Sequence, residues 1–294
     1  MKIVITGSTG FMGTHLVPYF AAEGHTLVLL SRNPKEPHAH YWNPEKRETD
    51  PSVLEASDVV INLTGESILG RWTPKKMEQI RESRIQATQF LCDTLLSLST
   101  LPKLYIGASA VGFYGDRPHE VLDESSPSGQ GFLSEVCRLW EAIPASLAAP
   151  GVRVVLTRFG IVLGDGGALK QMDKAFRMGM GGSLGSGEQI MSWIAIDDVC
   201  RAITHIITHP ELEGPVNLVA PQSVSNLIFT QTLGRVLNRP TMVAVPKFAL
   251  NMLFGPGAEI FLSSTDVRPR RLTESGFSFQ LPNLEDALKK YLII

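Results

Sequence analysis

The chain has 294 residues, of which 44% are hydrophobic and 19% charged, and its formal net charge is −2. This composition excludes a disordered or fibrous protein, and the small net charge gives no general attraction for nucleic acid or an anionic membrane. We therefore expect neither partner, because binding would need a local patch and the one basic cluster found is Arg268, Arg270 and Arg271. The length favours one large domain, alone or with a small one.

Cysteine usage indicates a reducing compartment. The three cysteines lie far apart in apolar, helix-like stretches, at Cys92, Cys137 and Cys200. An odd, widely spaced set predicts buried free thiols rather than disulfides or metal ligands. The histidines show no metal-binding pattern either, so we expect no metal. There is no secretion signal and no apolar run of the roughly 18–20 residues that a membrane span needs, so we expect a cytoplasmic protein.

Strand-like and helix-like segments alternate along most of the chain. The predicted strands are residues 2–6, 26–30, 58–63, 104–108 and 153–158. The predicted helices are a first one that ends at Gly24 and later ones at residues 74–98, 132–148 and 198–208, the last opened by an Asp198 cap. This alternation predicts an α/β fold with a Rossmann-type, doubly wound parallel sheet.

The pattern changes after about Ala220. A helix at residues 225–236, loops interrupted by prolines and a terminal helix at residues 284–292 follow. We predict a large α/β domain at residues 1–220 and a small α-rich domain at residues 221–294.

A glycine-rich turn joins the first strand to the first helix. Such a turn lets the backbone approach a pyrophosphate, and the free N–H groups of the following helix bind its charge. The strand before it and the amphipathic helix after it favour dinucleotide binding over a purely structural turn. The residues that we expect at the pyrophosphate are Gly7, Thr9, Gly10, Phe11, Met12 and Gly13.

The end of the second strand indicates which dinucleotide binds. NAD sites place an Asp or Glu there to accept a hydrogen bond from the ribose 2′-hydroxyl, but this chain has Ser31 and Arg32. A guanidinium cannot accept that bond and binds phosphate well. The sequence therefore predicts NADP(H), unless Arg32 is an ordinary surface arginine.

Further cofactor contacts are expected where the third strand ends. Open parallel sheets bind ligands at the carboxyl ends of their strands. Arg84 interrupts the apolar face of the next helix, so it needs a partner: a cofactor or substrate anion, or else a nearby carboxylate or a carbonyl at a helix end. The candidates here are Asn62, Leu63, Thr64, Gly65, Glu66 and Arg84.

These motifs resemble the extended short-chain dehydrogenase/reductase superfamily, and within it the "epimerase family" group of nucleoside-diphosphate-sugar epimerase-like proteins. The likeness covers nearly the whole chain. It is carried by residues 6–13, 62–66 and 112–116, and more specifically by Ser83-Arg84, Trp140-Glu141, residues 158–164, 181–187 and 192–194, Arg268-Pro269 and residues 276–279. The resemblance implies a Rossmann fold, a small C-terminal substrate domain and NADP(H) binding.

The catalytic groups of that superfamily are missing. Its chemistry usually uses a Tyr-x-x-x-Lys pair and a nearby Ser or Thr, but no tyrosine here has a lysine four residues later. Phe132 and Val136, or Leu133 and Cys137 in the adjacent frame, stand in the places of the pair, and Ala110 takes the Ser/Thr place. The remaining proton-carrying candidates are Ser109, which is also a cofactor candidate, Tyr114 and Glu135; each also has a purely structural interpretation.

Three functions remain open at this point. The first is an NADP(H)-dependent oxidoreductase or epimerase-like enzyme, acting on a nucleotide sugar or another carbonyl compound as a monomer or homodimer. The second is a catalytically silent NADP(H)-binding regulator or redox sensor, linked to cell or organelle division. The third is a module for another nucleotide. A glycine-rich stretch at 179–187 reads equally as a lid or a plain connection, and Trp193 as a pocket wall or a core residue.

Overall fold

The computed structural model describes residues 1–35 and 38–293. In chain order its strands are β1 (Lys2–Thr6), β2 (Thr26–Ser31), β3 (Ala39–Asn43), β4 (Glu48–Thr49), β5 (Val59–Asn62), β6 (Leu104–Ala110), β7 (Arg117–Leu122), β8 (Arg153–Phe159), β9 (Ile161–Leu163), β10 (Ile190–Met191), β11 (Trp193–Ala195), β12 (Gly214–Leu218), β13 (Val224–Ser225) and β14 (Thr265–Val267). Eight of them form the central sheet, in the order β12-β8-β6-β5-β1-β2-β3-β4.

Helices connect and cover these strands. They are α1 (Phe11–Ala22), α2 (Pro74–Leu96), α3 (Phe132–Ala142), α4 (Ala145–Ala148), α5 (Gly167–Arg177), α6 (Ile196–Thr208), α7 (Asn226–Leu237), α8 (Lys247–Phe254), α9 (Glu259–Leu262), α10 (Arg270–Glu274) and α11 (Leu284–Leu292). Short 3-10 helices lie at Pro51–Leu54, Val111–Tyr114 and Gly255–Ala258.

The central sheet has the predicted parallel arrangement. Neighbouring strands from β12 to β3 pair in parallel, and only β4 joins β3 in the antiparallel sense. The carboxyl ends of β1, β2, β5 and β6 therefore lie side by side at one edge. This arrangement confirms the predicted Rossmann-type fold and brings the sequence candidates of four separate segments to one edge.

The β-branched run of β1 is buried on both faces of the sheet. Ile3 and Ile5 belong to one core cluster with Leu16 of α1, whereas Val4 belongs to the cluster on the opposite side with Leu91 of α2. A strand covered by helices on both faces needs apolar side chains in both directions, which explains why this segment does not alternate with polar residues.

Two details of the predicted helices are wrong. The single helix expected at 132–148 is divided into α3 and α4, with Pro144 immediately before α4. Asp198 does not cap α6, which begins two residues earlier after Ala195. Instead, the buried Asp198 carboxylate accepts hydrogen bonds from the backbone N–H groups of Gln280 and Leu281, at 2.8 and 2.9 Å. It therefore holds the returning C-terminal segment against the sheet domain.

The glycine-rich stretch at 179–187 is held by the C-terminal part of the chain. Val245 donates its N–H to the carbonyl of Ser183 (2.7 Å) and accepts the N–H of Gly185 (2.9 Å). Trp193 is fully buried in a cluster with Phe229 and Leu288, so it is a core residue rather than a pocket wall.

Candidate functional site

The glycine turn leaves space that only glycines allow. Gly7 has a φ of +68°, and a Cβ on Gly13 would lie 2.4 Å from the carbonyl oxygen of Gly7. The N-cap of α1 is Gly10, which offers no side-chain cap, so the first N–H groups of the helix are not satisfied by a side chain. A pyrophosphate fits such a cradle, because it can approach the bare backbone and bind those N–H groups.

Phe11 fixes the start of α1. Its ring packs against the loop of Gly164, Gly166 and Gly167, where an added Cβ would lie within 2.9 Å of the ring carbons in each case. The ring also meets His15 edge to face at 5.2 Å. The glycine turn is therefore anchored by packing on a second glycine-rich loop.

The end of β2 exposes a guanidinium. Arg32 is 67% exposed, and its Nη1 lies 3.6 Å from the equally exposed Glu45 carboxylate. Such surface pairs contribute little, so this contact does not prevent Arg32 from binding a phosphate. Ser31, directly before it, accepts the N–H of Asn33 at 3.2 Å and offers a second polar group at the same point.

Asn62 is buried at the end of β5 and organises the polar groups around it. Its Oδ1 accepts from the Thr6 hydroxyl (2.7 Å), and its amide donates to Thr88 (2.9 Å) and to the hydroxyl of Tyr105 (3.0 Å). Thr64 donates to Thr6 at 2.8 Å. The backbone N–H groups of Leu63 and Thr64 donate to Thr6 (3.1 Å) and Asn62 (3.2 Å). The network therefore fixes these two residues beside the glycine turn, where a Cβ on Gly7 would lie 2.9 Å from the Leu63 carbonyl oxygen.

Arg84 lies against this loop. Its Nη1 donates to the carbonyls of Glu66 (3.0 Å) and Ile80 (2.9 Å). Glu66 lies in the loop after β5 and Ile80 inside α2, so these partners are neither the carboxylate nor the helix-end carbonyl expected from the sequence. Burial lowers the pKa of Arg84 from its ordinary value. A Cβ on Gly65 would lie 3.1 Å from the guanidinium carbon, which explains the glycine there. Glu66 itself pairs with Lys76 at 2.6 Å.

Ser109 belongs to a buried ionic cluster at the end of β6. Its hydroxyl donates to Glu141 Oε1 at 2.5 Å, and Arg158 donates to both oxygens of that carboxylate, at 2.9 and 2.7 Å. The Arg158 and Glu141 side chains are only 4% and 9% exposed. Burial acts to lower the pKa of Arg158, but its bonds with Glu141 outweigh burial and raise it.

Tyr114 extends the same cluster. Arg158 donates to its hydroxyl at 2.9 Å, and the hydroxyl donates to Asn217 at 2.8 Å. Burial raises the pKa of Tyr114 to about 12. With its hydroxyl satisfied on both sides, Tyr114 has the contacts of a structural residue.

The segment that the resemblance assigns to the Tyr-Lys pair forms α3. Cys137 lies beside Ser109 and the backbone of Ala110, and Leu133 packs near Gly112, so the frame of Leu133 and Cys137 faces the end of β6. Burial raises the pKa of Cys137 to about 11, which keeps it a neutral thiol. Glu135 is exposed on the same helix and lies apart from this cluster.

The roles of Glu141, Arg158 and Asn217 were not found from the sequence. Trp140-Glu141 and Arg158 carry the family resemblance, but no local sequence pattern indicates that Glu141 and Arg158, 17 positions apart, form a pair. One sequence feature could have pointed to this cluster: Arg158 is a charged residue in the otherwise largely apolar strand β8. A charged residue in a buried strand needs a partner. The basic cluster noted late in the chain is largely neutralised, since Arg268 pairs with Asp266 and Arg270 with Asp123 and Glu274.

Two absences hold for the residues that the structure describes. No group of three or more His, Cys, Asp or Glu side chains is placed to hold a metal ion. In the same part of the chain, no helix has the length and apolar character required to cross a membrane.

Family models match two parts of the chain. Residues 3–219 match the NAD dependent epimerase/dehydratase family, and residues 245–291 match a domain of unknown function, DUF1731. The "Epimerase family protein SDR39U1 homolog, chloroplastic" of Arabidopsis thaliana is 40% identical, over 98% of this chain and 86% of the relative.

Two solved structures of proteins with similar names also resemble this chain. The human epimerase family protein SDR39U1 (isoform 2) with NADPH superposes with a TM-score of 0.91 at 35% identity, covering 99% of this chain and 98% of the human one. A nucleoside-diphosphate sugar epimerase from Corynebacterium glutamicum has a TM-score of 0.80 at 33% identity, covering 98% of this chain and 57% of the other.

Proposed function

Because the chain belongs to the NAD-dependent epimerase/dehydratase family, we propose that it is an NADP(H)-dependent oxidoreductase or epimerase-like protein. The observation that carries the choice of cofactor is the end of β2, where Ser31 and the exposed Arg32 stand in place of a carboxylate. The human relative, solved with NADPH, supports this choice.

The cofactor would lie along the carboxyl edge of the sheet. The glycine turn and the start of α1 would bind the pyrophosphate, and Ser31 and Arg32 the 2′-phosphate. The loop from Asn62 to Glu66 would contact the ribose next to the nicotinamide. Arg84, which packs against that loop, and Ser109, at the end of β6, would complete this part of the site. The residues proposed to hold the cofactor are Gly7, Thr9, Gly10, Phe11, Met12, Gly13, Ser31, Arg32, Asn62, Leu63, Thr64, Gly65, Glu66, Arg84 and Ser109.

Proton transfer would have to use groups other than the Tyr-Lys pair. The nicotinamide, when bound, supplies or accepts the hydride. Ser109 is the hydroxyl at the end of β6, and its Oγ can pass a proton to Glu141, whose charge Arg158 balances. The substrate class proposed is a nucleotide sugar or another carbonyl compound, consistent with the name of the Corynebacterium glutamicum relative.

A second function, a catalytically silent NADP(H)-binding regulator or redox sensor, is favoured by α3. Leu133 and Cys137 face the end of β6 at the positions that the resemblance assigns to Tyr and Lys, and neither carries a charge. Two incubations separate the two functions: NADPH with a panel of carbonyl compounds as hydride acceptors, and NADP⁺ with a panel of nucleotide sugars as hydride donors. A change in cofactor absorbance, or conversion of a nucleotide sugar to its epimer without net cofactor change, that is lost in Ser109→Ala supports the enzyme, whereas neither change with any compound supports the regulator.

The cofactor assignment is tested by titration with NADPH and NADH, followed through quenching of the four tryptophans. We expect NADPH to bind more tightly, and Arg32→Ala to weaken NADPH by roughly tenfold or more while leaving NADH unchanged, because only NADPH carries the phosphate. Arg47→Ala is the matched control, since Arg47 is a similarly exposed arginine paired with Asp93. Equal binding of the two cofactors would refute the NADP(H) assignment.

Location and assembly complete the proposal. We propose a cytoplasmic protein, supported by three buried free cysteines and by a bacterial relative. We propose a monomer or homodimer, divided into a cofactor domain at 1–220 and a smaller domain at 221–294 that contributes to substrate binding.

A further inference from the structure

The C-terminal part of the chain meets the start of α3. The ring of Trp72 contacts Phe132 edge to face at 5.2 Å, and the backbone N–H of Trp72 donates to the carbonyl of Phe254 at 2.9 Å. Gly257 also lies against Trp72, where an added Cβ would be 2.8 Å from a ring carbon. Residues 254–257 are therefore joined through Trp72 to the helix that the resemblance assigns to the Tyr-Lys pair. Groups of both segments decide what can bind next to the end of β6.

A carboxyl group from this C-terminal segment occupies the N-terminus of α3. The N-cap is Gly131, which has a φ of +100° and provides no side-chain cap. An added Cβ on Gly131 would lie 3.1 Å from Oε1 of Glu259. Burial raises the pKa of Glu259, the N–H of Leu133 acts to lower it, and the nearby Asp116 acts to raise it. A helix N-terminus ordinarily binds anions, but a substrate phosphate here would meet carboxyl groups instead of free N–H groups.

Three arginines come from the segments around this place, and each is already engaged. Arg84 donates to two backbone carbonyls, Arg158 donates to both oxygens of Glu141, and Arg71 donates to the carbonyls at the end of α8. A diphosphate is bound best by the planar fork of a free guanidinium. Lys75, exposed at the start of α2, offers a point charge rather than such a fork. These cations therefore do not form a diphosphate site.

The side chains beside Ser109 are apolar. Ala110 follows it on β6, and Leu133 lies close to Gly112, where an added Cβ would be 3.3 Å from the Leu133 Cβ. Ala110, Phe132 and Leu133 are each partly exposed, and we name these three residues the apolar wall. Ligand sites of this kind, mostly apolar with a few polar groups, bind ligands whose surface is itself largely apolar.

We propose that this site takes an uncharged carbonyl compound, or the corresponding alcohol, whose alkyl or aryl group packs on the apolar wall. The inference rests on the proposed function and narrows its substrate class, because a nucleotide sugar would bring its diphosphate to a place that carboxyl groups occupy. Hydride transfer at the carbonyl carbon needs no charge on the rest of the substrate.

The reaction can be written as the oxidation of the alcohol by NADP⁺. The hydride on the alcohol carbon goes to the nicotinamide, and the hydroxyl proton goes to Ser109 Oγ as the Ser109 proton passes to Glu141. A C=O bond forms, NADP⁺ becomes NADPH, and one proton is left on Glu141. Reduction of the carbonyl compound by NADPH is the reverse of this step.

A matched pair of ketones tests the proposal on the full chain. NADPH absorbance is followed with 2-butanone or 2-octanone, and ligand-observed NMR measures binding of the same ketones and of UDP-glucose to the chain saturated with NADP⁺. We expect 2-octanone to exceed 2-butanone at least about tenfold in affinity and in kcat/KM, because each buried methylene contributes roughly threefold to fourfold. UDP-glucose should bind more weakly than 2-octanone.

Substitutions of the apolar wall make the test specific to this place. Leu133→Ser should weaken 2-octanone by roughly tenfold, whereas Leu133→Met should keep its binding, because methionine preserves the apolar volume. Leu96→Ser is the matched control, since Leu96 is an exposed leucine at the end of α2, and it should bind as the wild type does. Circular dichroism shows that each variant is folded.

Equal binding of the two ketones, tighter binding of UDP-glucose than of 2-octanone, or unchanged binding in Leu133→Ser would each overturn the inference. NADPH titration of the same samples separates this failure from failure of the proposed function. Binding of 2-octanone without hydride transfer would refute the enzyme and support the ligand class. Binding of NADPH with no binding of either ketone would overturn the inference and leave the cofactor assignment standing, whereas absence of NADPH binding would overturn both.

Discussion

Two regions at the carboxyl ends of the strands differ in how their polar groups are used. The Arg32 guanidinium at the end of β2 is exposed. At the end of β6, by contrast, the charged groups bond to one another inside the protein. Arg32 is 67% exposed and has one distant partner, while Arg158 is 4% exposed and bonds to Glu141 and Tyr114. The first region has donors available for a ligand; in the second, the donors and acceptors are already paired. Groups at the carboxyl ends of neighbouring strands can thus differ in kind: those at the end of β2 are open to a ligand, whereas those at the end of β6 bond to one another.

The largest expected effect comes from breaking the buried pair. Arg158→Ala would leave the Glu141 carboxylate buried without its cation, and removal of one partner of such a pair costs about 3–5 kcal/mol of unfolding free energy. Urea unfolding measures the change. Arg270→Ala is the matched control, because Arg270 also pairs with two carboxylates but at the surface, and it should change stability far less. Equal changes in the two variants would show that the cluster is not a core element.

The glycine turn is tested by Gly13→Ala. The new methyl group would collide with the Gly7 carbonyl oxygen and close the cradle, so we expect NADPH affinity to fall by roughly 100-fold or more. Gly24→Ala introduces backbone strain at a positive φ where nothing lies within 4 Å, so it should lower stability without weakening NADPH. Isothermal titration calorimetry distinguishes the two, and unchanged affinity in Gly13→Ala would place the cofactor elsewhere.

A smaller, pH-dependent effect is expected from Cys137. Its pKa is raised from 9.0 to about 11, so the unfolded chain loses the thiol proton at a lower pH than the folded protein does. The stabilisation is present below pH 9 and is lost as the pH rises through 11, at up to about 1.4 kcal/mol per pH unit. Cys137→Ala should make the fall of unfolding free energy between these pH values shallower than in the wild type. Identical slopes would contradict a buried neutral thiol.

Local patterns predicted the fold well because each signal was contained in one segment. The β-branched run of β1, the glycines of the turn and the apolar stripe of α2 each define an element without reference to the rest of the chain. Arg32 is also a local signal, because it stands at the end of the second strand where an NAD site would have an Asp or Glu. The cofactor edge could therefore be proposed almost completely from the sequence.

The buried cluster at the end of β6 could not be predicted from the sequence, because its contacts join distant segments. Ser109, Glu141 and Arg158 come from β6, α3 and β8, and only the folded sheet brings them within hydrogen-bonding distance. Asp198 shows the same limit, since its position near a helix start indicated a cap while its partners are Gln280 and Leu281. The frame of α3 was likewise undecided until the structure placed Cys137 beside Ser109.

The central claim is that the end of β2 binds a 2′-phosphate, and competition between two fragments tests it most directly. With NADPH bound to the wild-type chain, 2′,5′-ADP and 5′-AMP, which differ only in the 2′-phosphate, are titrated separately while the tryptophan quench is followed. We predict that 2′,5′-ADP displaces NADPH at a concentration at least about tenfold lower than 5′-AMP does, because only 2′,5′-ADP carries the phosphate that Arg32 can bind. Displacement by both fragments at the same concentration would contradict the account.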